Sequence, residues 1–301
     1  MKNRIGLVTV IGLLATTLSA TVAAAQCSTP PDPPGLMIKF DRDAWAYETA
    51  YTPANFKSAL GSQLTVVGIV SWFCNPFSDL NPADPNTEYT FIWDGLVSEE
   101  TITQTIGSFG AMKYTTRYLG GGFRIYAGSP RNAPTVTPPD LPSGVVPDAF
   151  VDGTMILGGV MDTVLVIVNR SSGGIYTSSF KAHYQATGGT RYCQVGSART
   201  LMDGLWCPVP PTSPSPTGTC PLPTGWSAHP NGKWDTPNPL PPPTGACCLR
   251  ANPGACVITT PADCVVQDGV FLGLCTVCDF GICLEVPANK TSWGQLKTIY
   301  R

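Results

Sequence analysis

The chain has 301 residues, 43% hydrophobic and only 13% charged, with a formal charge of −2. A mildly acidic chain with scattered Lys and Arg has no electrostatic footprint for nucleic acid or an anionic membrane surface, which excludes those partners. Its 31 Gly and 30 Pro interrupt regular structure too often for a mainly helical fold.

The chain opens Met1-Lys2-Asn3-Arg4, and an uncharged, largely apolar run follows from Ile5 to the small residues Ala23-Ala24-Ala25. That pattern reads as a secretory signal peptide over residues 1–25. The rivals are an uncleaved anchor, for which "ATTLSATVAAA" is mild, and a lipid on Cys27, where Gln26 replaces the small residue a lipoprotein signal wants. Loss of Lys2 and Arg4 from 18 Lys+Arg leaves 16 against 20 Asp+Glu, a charge of −4, and no stable membrane span in the mature chain.

Residues 26–207 read as an all-β domain. "GLMIKF", "LTVVGIVSWF", "TEYTFIW", "MKYTTRYL", "GFRIYAG", "GTMILGG", "TVLVIVN" and "IYTSSFKAHYQ" are rich in Val, Ile, Thr, Tyr and Phe, and turn residues bound each one. With no long helical period between them, they predict an antiparallel β-sandwich or jelly-roll-like domain. One helix is expected within Asp43–Leu60, where Thr52 and Pro53 offer a cap and a first turn. "LGGGF" (Leu119–Phe123) and "SSGG" (Ser171–Gly174) predict tight hairpins, and Ser129–Pro147 a long Pro-rich loop.

Residues 208–243 hold 13 prolines in 36 positions, the composition of a semi-rigid linker. Trp226 and Trp234 interrupt it. In a polar Pro/Gly/Asn setting these two are the leading candidates for an exposed ligand contact, whereas Trp72 and Trp93, among β-branched and aromatic neighbours, read as core.

All 12 cysteines (Cys27, Cys74, Cys193, Cys207, Cys220, Cys247, Cys248, Cys256, Cys264, Cys275, Cys278, Cys283) follow the leader, an even number suited to disulfides in an exported chain. Seven fall between Cys247 and Cys283, so residues 244–287 are expected to be a small disulfide-stapled module, too short to bury an adequate apolar interior. Zinc is the rival reading, since Cys275 and Cys278 have C-x-x-C spacing, but Cys247 and Cys248 are adjacent and strain a shared tetrahedron. No metal or cofactor is expected. Seven and five are both odd, so full pairing needs at least one bridge from the module to the upstream chain. Cys220 is the expected upstream partner, with Cys193–Cys207 and Cys27–Cys74 the expected pairs before it.

The segment "GACCLRANPGACVITTPADCVVQDGVFLGLCTVC" resembles a cysteine-rich repeat of uncharacterised exported bacterial proteins, and "FVDGTMILGG" and "YQATGGTRY" resemble strands of secreted bacterial β-sandwich proteins. The resemblance implies export and a β fold, and marks Cys275 as the extra cysteine that bridges outward. It implies no activity.

The chemical inventory is thin. The sequence lacks G-x-S-x-G, H-E-x-x-H, phosphate-loop and calcium-loop patterns, and His183 and His229 are its two histidines. Asp94, with Glu99 and Glu100 nearby, and Asp152 are the carboxylates a glycoside hydrolase would draw on, but D-G is also the commonest hairpin connection, which is the reading adopted. Asn169 and Asn289 fit glycosylation sequons. The tail 288–301 places Trp293, Leu296 and Ile299 at helical spacing; a sorting signal is its functional rival. The expectation is therefore a secreted or cell-surface, non-catalytic structural or interaction protein. A carbohydrate-binding module contacting an extracellular glycan or surface protein through Trp226 or Trp234 comes second, and a polysaccharide-acting hydrolase third.

Overall fold

The computed structural model describes residues 35–40, 44–107, 109–133, 148–208, 225–236, 240–279 and 281–283. The expected leader, Cys27, Cys220, Asn289 and the tail 288–301 lie outside these residues, as do 134–147 and 209–224.

Each β-rich run forms a strand, and all the strand pairs are antiparallel. β1 (Leu36–Phe40) and β2 (Ala44–Glu48) follow one another along one strand position. A two-stranded flap comes next, β3 (Tyr51–Thr52) and β4 (Lys57–Ser58), joined by a 3-10 turn at Pro53–Asn55. β5 (Gln63–Ile69) and the short β6 (Trp72–Phe73) precede the long β7 (Glu88–Ile106). Among the described residues 44–60, the helix expected within Asp43–Leu60 does not form. "AWAYE" alternates faces as a strand does, and Thr52-Pro53 start only a single 3-10 turn, which ends at Phe56 with φ 55°.

β8 (Ala111–Leu119) and β9 (Gly122–Gly128) both lie between β7 and β10 (Thr154–Arg170), so they are two halves of one bent strand. "LGGGF" is therefore a kink within a strand and not a hairpin. Gly121, at φ 82°, supplies it, because a Cβ there would strike Asp94 O and the Leu96 side chain. β7 likewise runs straight through Asp94-Gly95, so that D-G pair is no hairpin either. "SSGG" does turn the chain from β10 into β11 (Tyr176–Gly188), with Gly174 N donating to Ser171 O at 3.0 Å.

After α1 (Tyr192–Val195) come β12 (Arg199–Pro208) and β13 (Ala228–Asp235). β13 pairs with β12 from Met202↔Trp234 to Pro208↔Ala228, and on its other side with β1 and, at Ala228↔Ala46, with β2. Those pairings close the ring β2-β5-β7-β8/β9-β10-β11-β12-β13 into an eight-stranded barrel. This corrects the expected sandwich: a sandwich keeps two sheets, whereas here β13 removes the open edges. It also corrects the linker boundaries, since Ala228–Asp235 is a sheet strand inside residues 208–243.

Inward side chains fill the barrel. Phe40, Phe91, Trp93, Phe123, Phe180 and Trp234 are almost fully buried, with ring centroids 4.8 Å apart for Phe40–Phe91 and 5.3 Å for Phe123–Trp234. An eight-stranded barrel is about wide enough for side chains to occupy completely, so the interior is a core and not a lumen. A second cluster, including Trp45, Ile92, Phe150 and Trp226, covers part of the outer face.

The terminal module consists of β14 (Gly245–Leu249) flanked by β15 (Cys256–Thr259) and β16 (Gly269–Phe271), with α2 (Pro261–Val266) capped by Thr260, whose hydroxyl accepts from Asp263 N. Its disulfides are Cys247–Cys264, Cys248–Cys283 and Cys256–Cys278. Among its described residues the buried ones are Gly245, Ala246, Cys247, Cys248, Cys264 and Cys283, so sulfur makes up most of its interior. Gly269 follows from this, because a Cβ there would overlap both sulfurs of the Cys247–Cys264 bridge.

Cys193–Cys275 ties the module to α1 across 82 residues of sequence. The upstream partner of the module is thus Cys193, in place of Cys220, and Cys193 does not pair with Cys207. Cys74 and Cys207 are also disulfide-bonded. Cys275 and Cys278, the C-x-x-C pair, belong to two different bridges, which uses the sulfurs a zinc site would need.

Candidate functional site

The tryptophans expected at the surface are inside. Trp226 is 5% exposed, its ring centroid 6.2 Å from that of Trp45 with the planes tilted at 45°, and Trp234 is fully buried among Phe91, Phe123 and Tyr184. The polar context that suggested exposure belongs to alternate residues of β13, whose inward positions, Trp234 among them, line the core. Trp72, read as core, is instead 40% exposed on the short β6 and lies under Lys39 Nζ at 4.7 Å, while Trp93 is buried as expected.

The carboxylates around Asp94 do not converge. Asp94 pairs with Arg124, and Glu99 with Arg117 at 3.1 Å. Asp152 accepts from Asn132 Nδ2 at 2.7 Å. His183 faces outward on β11 opposite Thr163 and Leu201, and His229 lies on β13 opposite Cys207.

Two polar features were missed. The first is a buried network at one barrel end, under the β3/β4 flap. Tyr118 Oη donates to Glu48 Oε2 at 3.0 Å and shares a 2.9 Å hydrogen bond with Ser58 Oγ, while Ser58 N donates to Thr101 Oγ1 at 2.8 Å and Thr101 bonds Thr116 at 2.7 Å. Burial pushes the Glu48 carboxyl above the usual carboxylate range, against the hydroxyls of Ser58, Ser62 and Tyr118 that stabilise its charge. Burial, reinforced by the nearby Glu48 charge, raises the Tyr51 and Tyr118 phenols as well. Among the described residues, the buried Glu48 Oε1 and Tyr51 Oη have no hydrogen-bond partner. The signal was legible: in "AWAYE", Ala44, Ala46 and Glu48 share one parity, so an inward strand face ends on a carboxylate. Glu88 is similar, a buried acceptor for the backbone N–H of Asn132 and Ala133 at 2.8 and 3.0 Å.

The second is a cleft of about 270 Å³ on the outer face, where β7, β9, β10 and β11 bend together. Arg124 lies opposite Gly158, and Gly158 opposite Gly188, so two consecutive positions beside the guanidinium carry no side chain. Asp94 lies opposite Gly122. The β10–β11 ladder steps from Gly158↔Gly188 to Gly159↔Ala186, which leaves Thr187 without a counterpart as a bulge. A matching irregularity between Met155 and Leu157 displaces Ile156 on β10. Met155 and Thr187 form the walls, and the Asp94–Arg124 ion pair one end. Elsewhere, Lys233 sits 2.9 Å from Asp235 and 3.5 Å from Asp203; its bond to Asp235 raises the Lys233 pKa, and burial raises that of Asp235.

No family model matches the chain, and neither the curated proteins nor the solved structures yield a similar one. The molecule is therefore an all-β, antiparallel, disulfide-bonded barrel whose class rests on its own geometry.

Proposed function

We propose that the protein is a secreted or cell-surface, non-catalytic structural or interaction component, a rigid barrel carrying a covalently clamped cysteine-rich module. The observation that carries this reading is the sulfur arrangement. A module whose interior is four bridged cysteines, joined to the barrel by Cys193–Cys275, needs an oxidising compartment to exist. Among the described residues no helix is long and apolar enough to cross a membrane, which fits a location outside the cell without excluding others. Because aromatic rings fill the barrel, a partner has to be met on the outer surface.

The glycan-binding alternative loses its original contacts, since Trp226 and Trp234 serve as core. The hydrolase alternative would need a second carboxylate facing Asp94, and the nearby Glu99 is engaged by Arg117. The test is to fractionate the native host and to assay the purified mature protein on polysaccharides. Recovery of oxidised protein from the exported fraction, with no release of reducing ends, supports the proposal. Thiol-form protein in the cytosol, or hydrolysis that Asp94→Asn abolishes, overturns it.

A further inference from the structure

We propose that the outer cleft beside the Asp94–Arg124 pair binds a neutral polyhydroxylated ligand, one sugar ring in size, by its vicinal hydroxyls. The proposal deepens the interaction reading above and rests on it.

Gly122, Gly158, Gly159 and Gly188 line the cleft. Gly159 and Gly122 are required by packing: a Cβ on Gly159 would collide with the Gln185 carbonyl oxygen, and one on Gly122 would sit 2.9 Å from Gly159 O. Gly189 is required by φ 110° and by the Ile156 backbone beneath it. Gly188 has neither reason. A Cβ there meets nothing within 4 Å, and its φ lies outside the left-handed region. Glycine in a strand costs stability and is otherwise a mark of close approach by a ligand or another backbone. Among the described residues no backbone approaches this position, and the free space beside it is the cleft.

Charge selects the ligand class. Asp94 only accepts hydrogen bonds and the Arg124 guanidinium only donates them, and the two are held side by side, each about one-third exposed or slightly more. A carboxylate ligand drawn to Arg124 would be pressed against Asp94, and an ammonium drawn to Asp94 against Arg124. A pair of neighbouring hydroxyls, one donating to the carboxylate and one accepting from the guanidinium, satisfies both without net charge. Thr187, lifted out of the ladder by the bulge, adds a hydroxyl that can donate or accept, and the Met155 thioether and the glycine α-carbons give apolar surface for the C–H face of a ring. The volume of about 270 Å³ is just under the roughly 300–1,000 Å³ of drug-sized sites, which suits one ring and not a chain.

The experiment is saturation-transfer-difference NMR on the full mature protein with methyl glucoside, methyl galactoside and methyl mannoside, beside glucuronate and glucosamine. The expected result is saturable, roughly millimolar binding of at least one neutral glycoside, about tenfold weaker in Gly188→Val and in the double variant Asp94→Asn/Arg124→Gln, and unchanged in Trp72→Ala, which removes the exposed indole. The double variant reads the same site should Gly188→Val fail to fold. Saturation by none of the neutral glycosides, tighter binding of glucuronate or glucosamine, or wild-type affinity in the cleft variants overturns the assignment. Those failures leave the sulfur arrangement and the host location untouched, whereas turnover of a glycoside would strike the non-catalytic reading itself.

Discussion

The barrel and the terminal module reach order by opposite means. The barrel packs large aromatic side chains inside a closed ring of strands, so its stability comes from area removed from water and from ring contacts. The module buries Gly245, Ala246 and four cysteines, and leaves Val265 74%, Val266 85% and Val277 58% exposed. It has too few residues to enclose its own apolar side chains, and cross-links restrict its unfolded state instead. The two regions should accordingly fail under different insults.

The largest expected effect is in the barrel. Trp234→Ala removes a ring packed against Phe91, Phe123 and Tyr184, and should cost about 3–5 kcal/mol in denaturant unfolding while the module's bridges stay intact. A loss below about 1 kcal/mol would mean that the aromatic interior does not hold the ring closed. Next, the double variant Cys248→Ser/Cys283→Ser should cost the module about 2–5 kcal/mol. Hydrogen exchange should then rise over residues 245–271 and stay slow in β10 and β11. Uniform loosening of both regions would erase the contrast.

The smallest expected effect concerns the barrel end. Burial raises the Glu48 pKa from its ordinary 4.5, so the contribution of this residue is complete below that value and is lost as pH rises through the folded pKa. Glu48→Gln, which keeps the acceptor for Tyr118 without the charge, should match the wild type near pH 4 and exceed it increasingly toward pH 7. Asp235, raised in the same direction, is common to both proteins and drops out of the difference. Parallel stability curves for the two proteins across that range would contradict a strained buried charge.

Most of the strands were legible, because β-branched and aromatic runs between Gly and Asn or Ser leave few other options. Closure was not. It depends on β13, "AHPNGKWD", whose Pro230 and Gly232 look like linker and which becomes a strand only because β12 and β1 lie on either side of it. The same misreading put Trp234 outside. The bend of β8 into β9 was hidden for a related reason: three glycines signal a turn locally, and only the partner strands β7 and β10, continuous past the kink, decide that the chain goes straight on. The cleft could not be read at all, since its walls come from bulges, and side-chain alternation along one strand does not reveal where the register with its neighbour slips. Odd cysteine counts required a bridge out of the module, but spacing favoured Cys220, and only the position of α1 beside the module selects Cys193.

The most direct test is a disulfide map of the protein by non-reducing proteolysis and mass spectrometry. Cross-linked peptides joining Cys193 to Cys275, Cys247 to Cys264, Cys248 to Cys283 and Cys256 to Cys278 are expected. Free thiols at these positions, or a Cys193–Cys207 bridge leaving Cys275 unclamped, would contradict this pairing.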